Sequence, residues 1–270
     1  MPGKWRICRN KRMRHMDFDC IIYEKKADAA VIQLNRPRVL NAMNKQLWCD
    51  LQAALTDAAA DAGIKVVIIT GNGRAFSTGA DLKESKDRSI DAYRDYLTEL
   101  QEASRKIIRF EKPTIAAING YALGSGYELA LACDLRLAAE DAQIGSPEAR
   151  VSSSVTGGAM RLLQDIVGPP KAMELLFTAE NITGKEAERI GLVNKAVPLD
   201  DLMDTVFALA EKIAANAPFS IQMIKKGLFM ARGEASLAAV MDYEIEACLA
   251  CVSTKERRTS LENFAARKKK

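Results

Sequence analysis

Two glutamates, Glu128 and Glu148, stand 20 residues apart, each in a stretch rich in glycine or serine. Glu128 lies in Asn119-Gly-Tyr-Ala-Leu-Gly-Ser-Gly-Tyr-Glu-Leu-Ala-Leu-Ala-Cys-Asp134, where the strand-like TIAAI (114–118) feeds glycines and a short apolar helix starts near Ser125. The first N–H groups of a helix lack intrahelical partners and carry the positive end of its dipole, so they attract negative charge. Taken alone, Glu128 in that first turn merely complements the dipole. Glu148 follows Pro147 in a loop that runs to Gly158. The proline restricts the backbone and can aim the carboxylate, although an isolated loop glutamate is usually solvated. A third stretch, Gly71-Asn-Gly-Arg-Ala-Phe-Ser-Thr-Gly-Ala-Asp-Leu-Lys-Glu84, follows the strand-like KVVIIT (65–70). Backbone N–H groups in such a turn can hold an anion or a carbonyl oxygen; alone, the stretch reads equally well as an ordinary connection. Together the three supply two clusters of backbone donors and two carboxylates, with neither a nucleophile nor a metal site. That set suits chemistry in which a carbonyl oxygen gains negative charge while a carboxyl group moves a proton.

Other chemistries lack their residues. No Gly-Lys-Ser/Thr follows the first glycine-rich turn, so it is not a phosphate loop. Leu129 occupies the position where a dinucleotide fingerprint needs its third glycine. The single histidine, His15, sits in a basic leader, which removes Ser-His-Asp and Cys-His catalysis and most zinc sites. Cys248-Leu-Ala-Cys251 has no second pair and lies in a helical pattern, so it reads as buried helix-face thiols. With no secretion signal, a reducing cytoplasm is expected.

The net charge of +4 misleads: residues 1–15 hold six basic residues and no acid, and the remainder counts 33 basic against 35 acidic residues. Nucleic acid is therefore not an expected partner. Residues 1–15 read as a disordered basic leader or an upstream start, with Met16 a candidate start. With 48% hydrophobic and 27% charged residues, the chain of 270 is long enough for a sizeable core without disulfides. No apolar run approaches the ~20 residues of a membrane helix, so no membrane association is expected.

Elements that could position the glutamates alternate along the chain. Strands are expected at 20–24, 29–34, 65–70, 114–118, 133–139 and 192–197. Leu47, Leu51 and Leu55 mark an amphipathic helix over 44–60, and Tyr93, Leu97, Leu100 and Ile107 another over 90–109. Thr183-Gly-Lys-Glu186 is a capping box and Gly191 closes its helix. From about residue 199 the pattern is helical. An α/β unit with a helical C-terminal layer follows. Periodicity leaves open whether its sheet is doubly wound, the default guess, or stacked.

FSTGADLKE (76–84), NGYALGSGYELALACD (119–134), Pro147-Glu148, GKEAERIGLVNKAV (184–197), LNRPRVLNAMN (34–44) and SLENFAARKKK (260–270) closely resemble the crotonase family of enoyl-CoA hydratases and isomerases. The likeness runs from about Asp17 to Lys270. It implies a crotonase-like α/β spiral of ββα units over 16–198, with a C-terminal helical trimerisation region over 199–270. It also implies assembly as a homotrimer or a hexamer of two trimers, a role in fatty acid metabolism, and an acyl-CoA thioester substrate with no bound cofactor and no metal. By motif match, the backbone N–H groups of Ala80 and Ser125 form the oxyanion hole. Ala80, Asp81, Leu82 and Lys83 line the coenzyme A site, and Phe264 and Arg267 contact the coenzyme A end from a neighbouring subunit. Glu128 and Glu148 match the paired acid/base glutamates of the hydratases.

That resemblance implies water addition across the 2,3 double bond of an enoyl-CoA, or its reverse. Two neighbouring carboxyls do not both ionise easily, so one is expected to keep its proton at neutral pH. The rivals are a double-bond isomerase, which can run on Glu148 alone, and a non-catalytic CoA-ester or RNA-binding relative, which two retained glutamates and a near-neutral fold disfavour. Two departures stand out. Ser125 replaces the family's usual middle glycine. VSSSVTGG (151–158) lacks the proline of the family's Gly-Ile-x-Pro-Gly-x-Gly-Gly, is one residue shorter and carries three serines. It is expected to border the acyl pocket and to select a polar, branched or cyclic acyl group. Its lack of Asp or Glu speaks against the aryl-CoA dehalogenases of the family.

Overall fold

A computed structural model describes residues 18–85, 89–233 and 237–252. The chain opens with an antiparallel hairpin, β1 (Ile21–Lys26) and β2 (Ala29–Leu34), followed by helix α1 (Lys45–Ala60). Asn44 caps α1 by accepting from the Leu47 amide at 3.0 Å, and the leucines at 47, 51 and 55 face the core. Next come β3 (Val66–Gly71) and β4 (Ala75–Ser77), the short α2 (Leu82–Ser85) and the long α3 (Ile90–Ile108). The pattern repeats with β5 (Thr114–Ile118), β6 (Tyr121–Leu123) and α4 (Ser125–Ala132). It repeats again with β7 (Leu135–Ala139), β8 (Gln143–Gly145), α5 (Ala159–Val167) and α6 (Pro169–Thr178). A last turn contains β9 (Ile182–Thr183), α7 (Gly184–Arg189) and β10 (Lys195–Val197). Helices α8 (Leu202–Ala214), α9 (Pro218–Ala231) and α10 (Leu237–Val252) follow.

Among the described residues the strands form two sheets, ordered β1-β2-β3-β5-β7-β10 and β4-β6-β8-β9. A doubly wound sheet reverses its strand order at a switch point. Here the order only advances, because after the β1-β2 hairpin each successive turn adds one strand to each sheet on the same side. The default guess of a doubly wound sheet is therefore corrected to two stacked sheets wound as a spiral. The three-residue strands β4, β6 and β8 are too short to show a period, so the second sheet had no signature in the sequence.

Every residue of β3 and β5 is buried. Their continuous apolar runs fit strands covered on both faces. One face of the large sheet packs on α8 through Val206, Ala210 and Ala214 against Ile68, Ile115 and Leu137. The other faces the main core of α1, α3, α4 and the second sheet. Half of the expected capping box forms: Thr183 Oγ1 accepts from the Glu186 amide at 3.2 Å, while the Glu186 carboxylate accepts from Arg189. Cys248 is exposed on α10, not buried as its helical pattern suggested. No helix among the described residues is long and apolar enough to cross a membrane. The leader with His15, and Phe264 and Arg267, lie outside the described residues.

Candidate active site

The segment 34–44 braces the loop that carries Ala80. Asn41 is fully buried, and its Nδ2 donates to the carbonyls of Asn72 and Ala75 at 3.0 and 2.7 Å. Arg36 pairs with Asp81 at 2.9 Å. Asp81 Oδ1 accepts from the Lys83 amide at 3.2 Å. The Asp81 carboxylate thus holds the loop in shape.

Residue 80 forms an isolated parallel bridge with Met43. The Met43 amide donates to the Gly79 carbonyl at 2.7 Å, and the Asp81 amide donates to the Met43 carbonyl at 3.1 Å. In a parallel bridge the flanking residues make both bonds, so the N–H of residue 80 itself points the other way. The preceding residue, Gly79, lies against the N-terminus of α4. Gly79 (φ +94°) makes the approach possible: a Cβ there would sit 3.1 Å from the Ser125 amide nitrogen and 2.9 Å from the Leu123 carbonyl. Ser125 is the first residue of α4, where N–H groups lack helical acceptors. The two segments expected to present donors therefore converge, although 45 residues separate Ala80 from Ser125.

Both glutamates meet at the same helix end. Glu128 lies in the first turn of α4 and is only 3% exposed. Its Oε1 accepts from the Thr156 amide and its Oε2 from the Thr156 hydroxyl at 2.8 Å. Burial pushes its pKa up; the bonds from Thr156 and the Ser125 hydroxyl pull the other way, and the charge of Glu148 adds to the rise. Glu148 opens a 3₁₀ turn, and Ser146 Oγ donates to its Oε2 at 2.5 Å. Its Oε1 lies 2.9 Å from the place a Cβ would take on Gly124, the residue before Ser125.

Glu148 and Ser146 line a cavity of about 320 Å³ together with Ser153, Ser154, Val155 and apolar side chains that include Met173 and Phe177. The departing stretch 151–158 thus borders a pocket that begins at a candidate proton carrier. A larger groove of about 600 Å³ lies under α9 and contains neither glutamate. Among the described residues no group of three or more His, Cys, Asp or Glu side chains could hold a metal ion.

Sequence reasoning singled out Glu128, Glu148, Ala80 and Ser125, which the fold gathers, and Asp81 and Lys83, which sit on the adjoining loop; Leu82 opens α2 there. It passed over Thr156 and Ser146, the residues that hold the two carboxylates. Position 156 lies within the departing stretch, yet only the folded chain shows what its hydroxyl reaches.

The family model described as enoyl-CoA hydratase/isomerase matches residues 24–270. The chain is 35% identical to a short-chain-enoyl-CoA hydratase of Clostridium acetobutylicum, over 94% of this chain and 97% of that protein. It is 34% identical to a crotonyl-CoA hydratase of Syntrophomonas wolfei, over 94% and 98%. Its fold superposes on the crystal structure of an enoyl-CoA hydratase from Bacillus anthracis with a TM-score of 0.89 at 33% identity, covering 92% of this chain and 97% of that one. The structure of Pseudomonas aeruginosa DspI superposes with a TM-score of 0.90 at 30% identity, covering 95% and 98%.

Proposed function

The chain belongs to the enoyl-CoA hydratase/isomerase family, and on that premise we propose that it adds water across the 2,3 double bond of an enoyl-CoA thioester, or removes it in reverse. The observation that carries the reading is the convergence at one helix end of the Ala80 and Ser125 segments with two carboxylates. The two amides hold the thioester oxygen. Thioester resonance is weak, so the carbonyl polarises readily and charge accumulates on oxygen as water attacks the β-carbon. Fixed donors aimed at that charge cost no reorganisation when it forms. Glu128 and Glu148 orient the water; Glu128 accepts the proton that water loses as its oxygen bonds to the β-carbon, Glu148 delivers a proton to the α-carbon, and a proton returns from Glu128 to Glu148 before the next turnover. Isomerisation needs only Glu148 and leaves the buried Glu128 without work, so hydration is preferred.

The acyl tail runs from Glu148 into the cavity of about 320 Å³. At roughly 30 Å³ per heavy atom, the share of a water molecule in the liquid, it takes about ten non-hydrogen atoms. Its apolar wall suits hydrocarbon, and Ser153 and Ser154 suit a tail with one uncharged polar group. Asp81, Leu82 and Lys83 belong to the coenzyme A side, with Phe264 and Arg267 contributed by a neighbouring subunit. Exposed apolar side chains on α9 and α10, among them Ile224, Leu228 and Ile245, support assembly as a homotrimer or hexamer. Cytoplasmic fatty acid metabolism is the setting this chemistry fits.

A panel of enoyl-CoA esters tests the reading by loss of enoyl-thioester absorbance and by product mass. Gain of one water is expected; unchanged mass with a moved double bond would make the protein an isomerase. Light scattering that finds only monomer would refute the assembly.

A further inference from the structure

We propose that Thr156 is a positioning residue for the hydration step: its amide and hydroxyl clamp one oxygen each of the Glu128 carboxylate and aim its free lone pairs at the attacking water. This rests on the hydratase reading and assigns a role to a side chain outside the two glutamates and the two amides.

The geometry is specific. A carboxylate offers about four lone-pair sites. The Thr156 amide takes one on Oε1 and the Thr156 hydroxyl one on Oε2 at 2.8 Å. The lone pairs left on the two oxygens are open to water. Because Thr156 holds both oxygens, the terminal carboxylate torsion, otherwise broad, is locked. The backbone is shaped for this contact. Gly157 has φ +60°, and a Cβ on it would sit 3.2 Å from Glu128 Cβ and 3.0 Å from Ser104 Oγ. Only glycine lets the chain turn there and bring the Thr156 amide onto a carboxylate that is itself buried.

The clamp also has an electrostatic consequence. Its donors favour the charged, accepting form of a group that burial disfavours in that form. Few other charges act on Glu128. Glu148, on the 3₁₀ turn, opposes ionisation; α3 presents the uncharged Ser104 beside Gly157, and α4 itself presents the Ser125 hydroxyl. Removing the threonine hydroxyl therefore moves Glu128 further towards its neutral form, a weaker acceptor for the attacking water.

The test compares the full-length protein with Thr156→Val, which keeps the shape and removes the hydroxyl, and Thr156→Ser, which keeps the hydroxyl. With crotonyl-CoA as probe, kcat and KM are measured from about pH 5 to about pH 9. Thr156→Val is expected to lower kcat by about 10- to 100-fold, as for loss of one hydrogen bond to a charged acceptor. Its KM should stay within about threefold, since the interaction is made to the reacting water. The acid limb of the profile should rise by about one pH unit. Thr156→Ser should restore both the rate and the limb. Should the valine variant not fold, Thr156→Ala carries the same comparison. An acid limb unmoved in Thr156→Val, with a rate that serine does not rescue, overturns the clamp and leaves Thr156 as packing. Full hydration by Glu128→Gln would instead overturn the two-glutamate reading beneath it.

Discussion

Gly79→Ala probes the convergence of the two amides without touching either. The added Cβ would meet three backbone atoms: the Leu123 carbonyl oxygen at 2.9 Å, the Ser125 nitrogen at 3.1 Å and Gly124 Cα at 3.4 Å. Ordinary carbon contacts lie at ~3.5–4.0 Å, so the two segments must part by roughly half an ångström. None of the three atoms belongs to a flexible side chain that could step aside. The φ of +94° adds strain, because left-handed backbone costs an L-residue about 1–2 kcal/mol. That part of the penalty falls on stability. Displacement of the Ser125 amide falls on the transition state, where loss of one oxyanion donor costs about 2.7–4 kcal/mol, or roughly 10²- to 10³-fold in kcat. Partial displacement should cost near the lower end. Gly191→Ala is the control: it has a similar φ of +78° with nothing within 4 Å of the new Cβ, so it carries the strain alone. Both variants should melt lower than the parent, and only Gly79→Ala should lose kcat, read by enoyl-thioester absorbance under saturating substrate. If folded Gly79→Ala keeps kcat within about threefold of Gly191→Ala, the segments meeting at residue 79 do not form the oxyanion site.

Glu128→Gln and Glu148→Gln should each lose hydration by about 10²- to 10⁴-fold, the contribution of a positioned acid or base, with product mass as the check. Glu128→Gln should also be the more stable protein at alkaline pH. The pKa of Glu128 is raised, so its folded state binds the proton more tightly than the unfolded chain does, and stability falls as pH climbs from the ordinary glutamate value through the raised one. Denaturant midpoints should therefore separate at pH 8 and converge below pH 4. Arg136 is buried and donates to the carbonyls of Leu192, Ala130 and Cys133, so Arg136→Met should cost about 3 kcal/mol or more through stranded acceptors. A lowered thermal midpoint with kcat retained is expected. Arg36→Met should leave kcat largely intact and raise KM, because it frees the loop at Asp81 and Lys83 proposed to hold coenzyme A. An unchanged KM would place that loop away from the coenzyme.

Residue identity alone determined much of this protein. The glycines after KVVIIT and TIAAI announce strand ends with free amides, and Asn44, Thr183 and Gly191 mark helix ends by chemistry local to a few residues. The amphipathic spacing in α1 and α3 reports which side must be buried. These signals survive without a fold because they depend on neighbours within one or two turns. Tertiary structure decided the rest. Strands of three residues have no period to read, so the second sheet, and with it the spiral, was silent in the chain. That Glu148 comes to rest beside Gly124, that Arg36 reaches Asp81, and that Thr156 grips Glu128 across 28 residues are contacts between segments distant in sequence. No single element encodes them. They exist because stacking the two sheets brings the ends of successive β-β-α turns to one place, where a glycine's missing side chain leaves room for a carboxylate and a buried carboxylate requires donors.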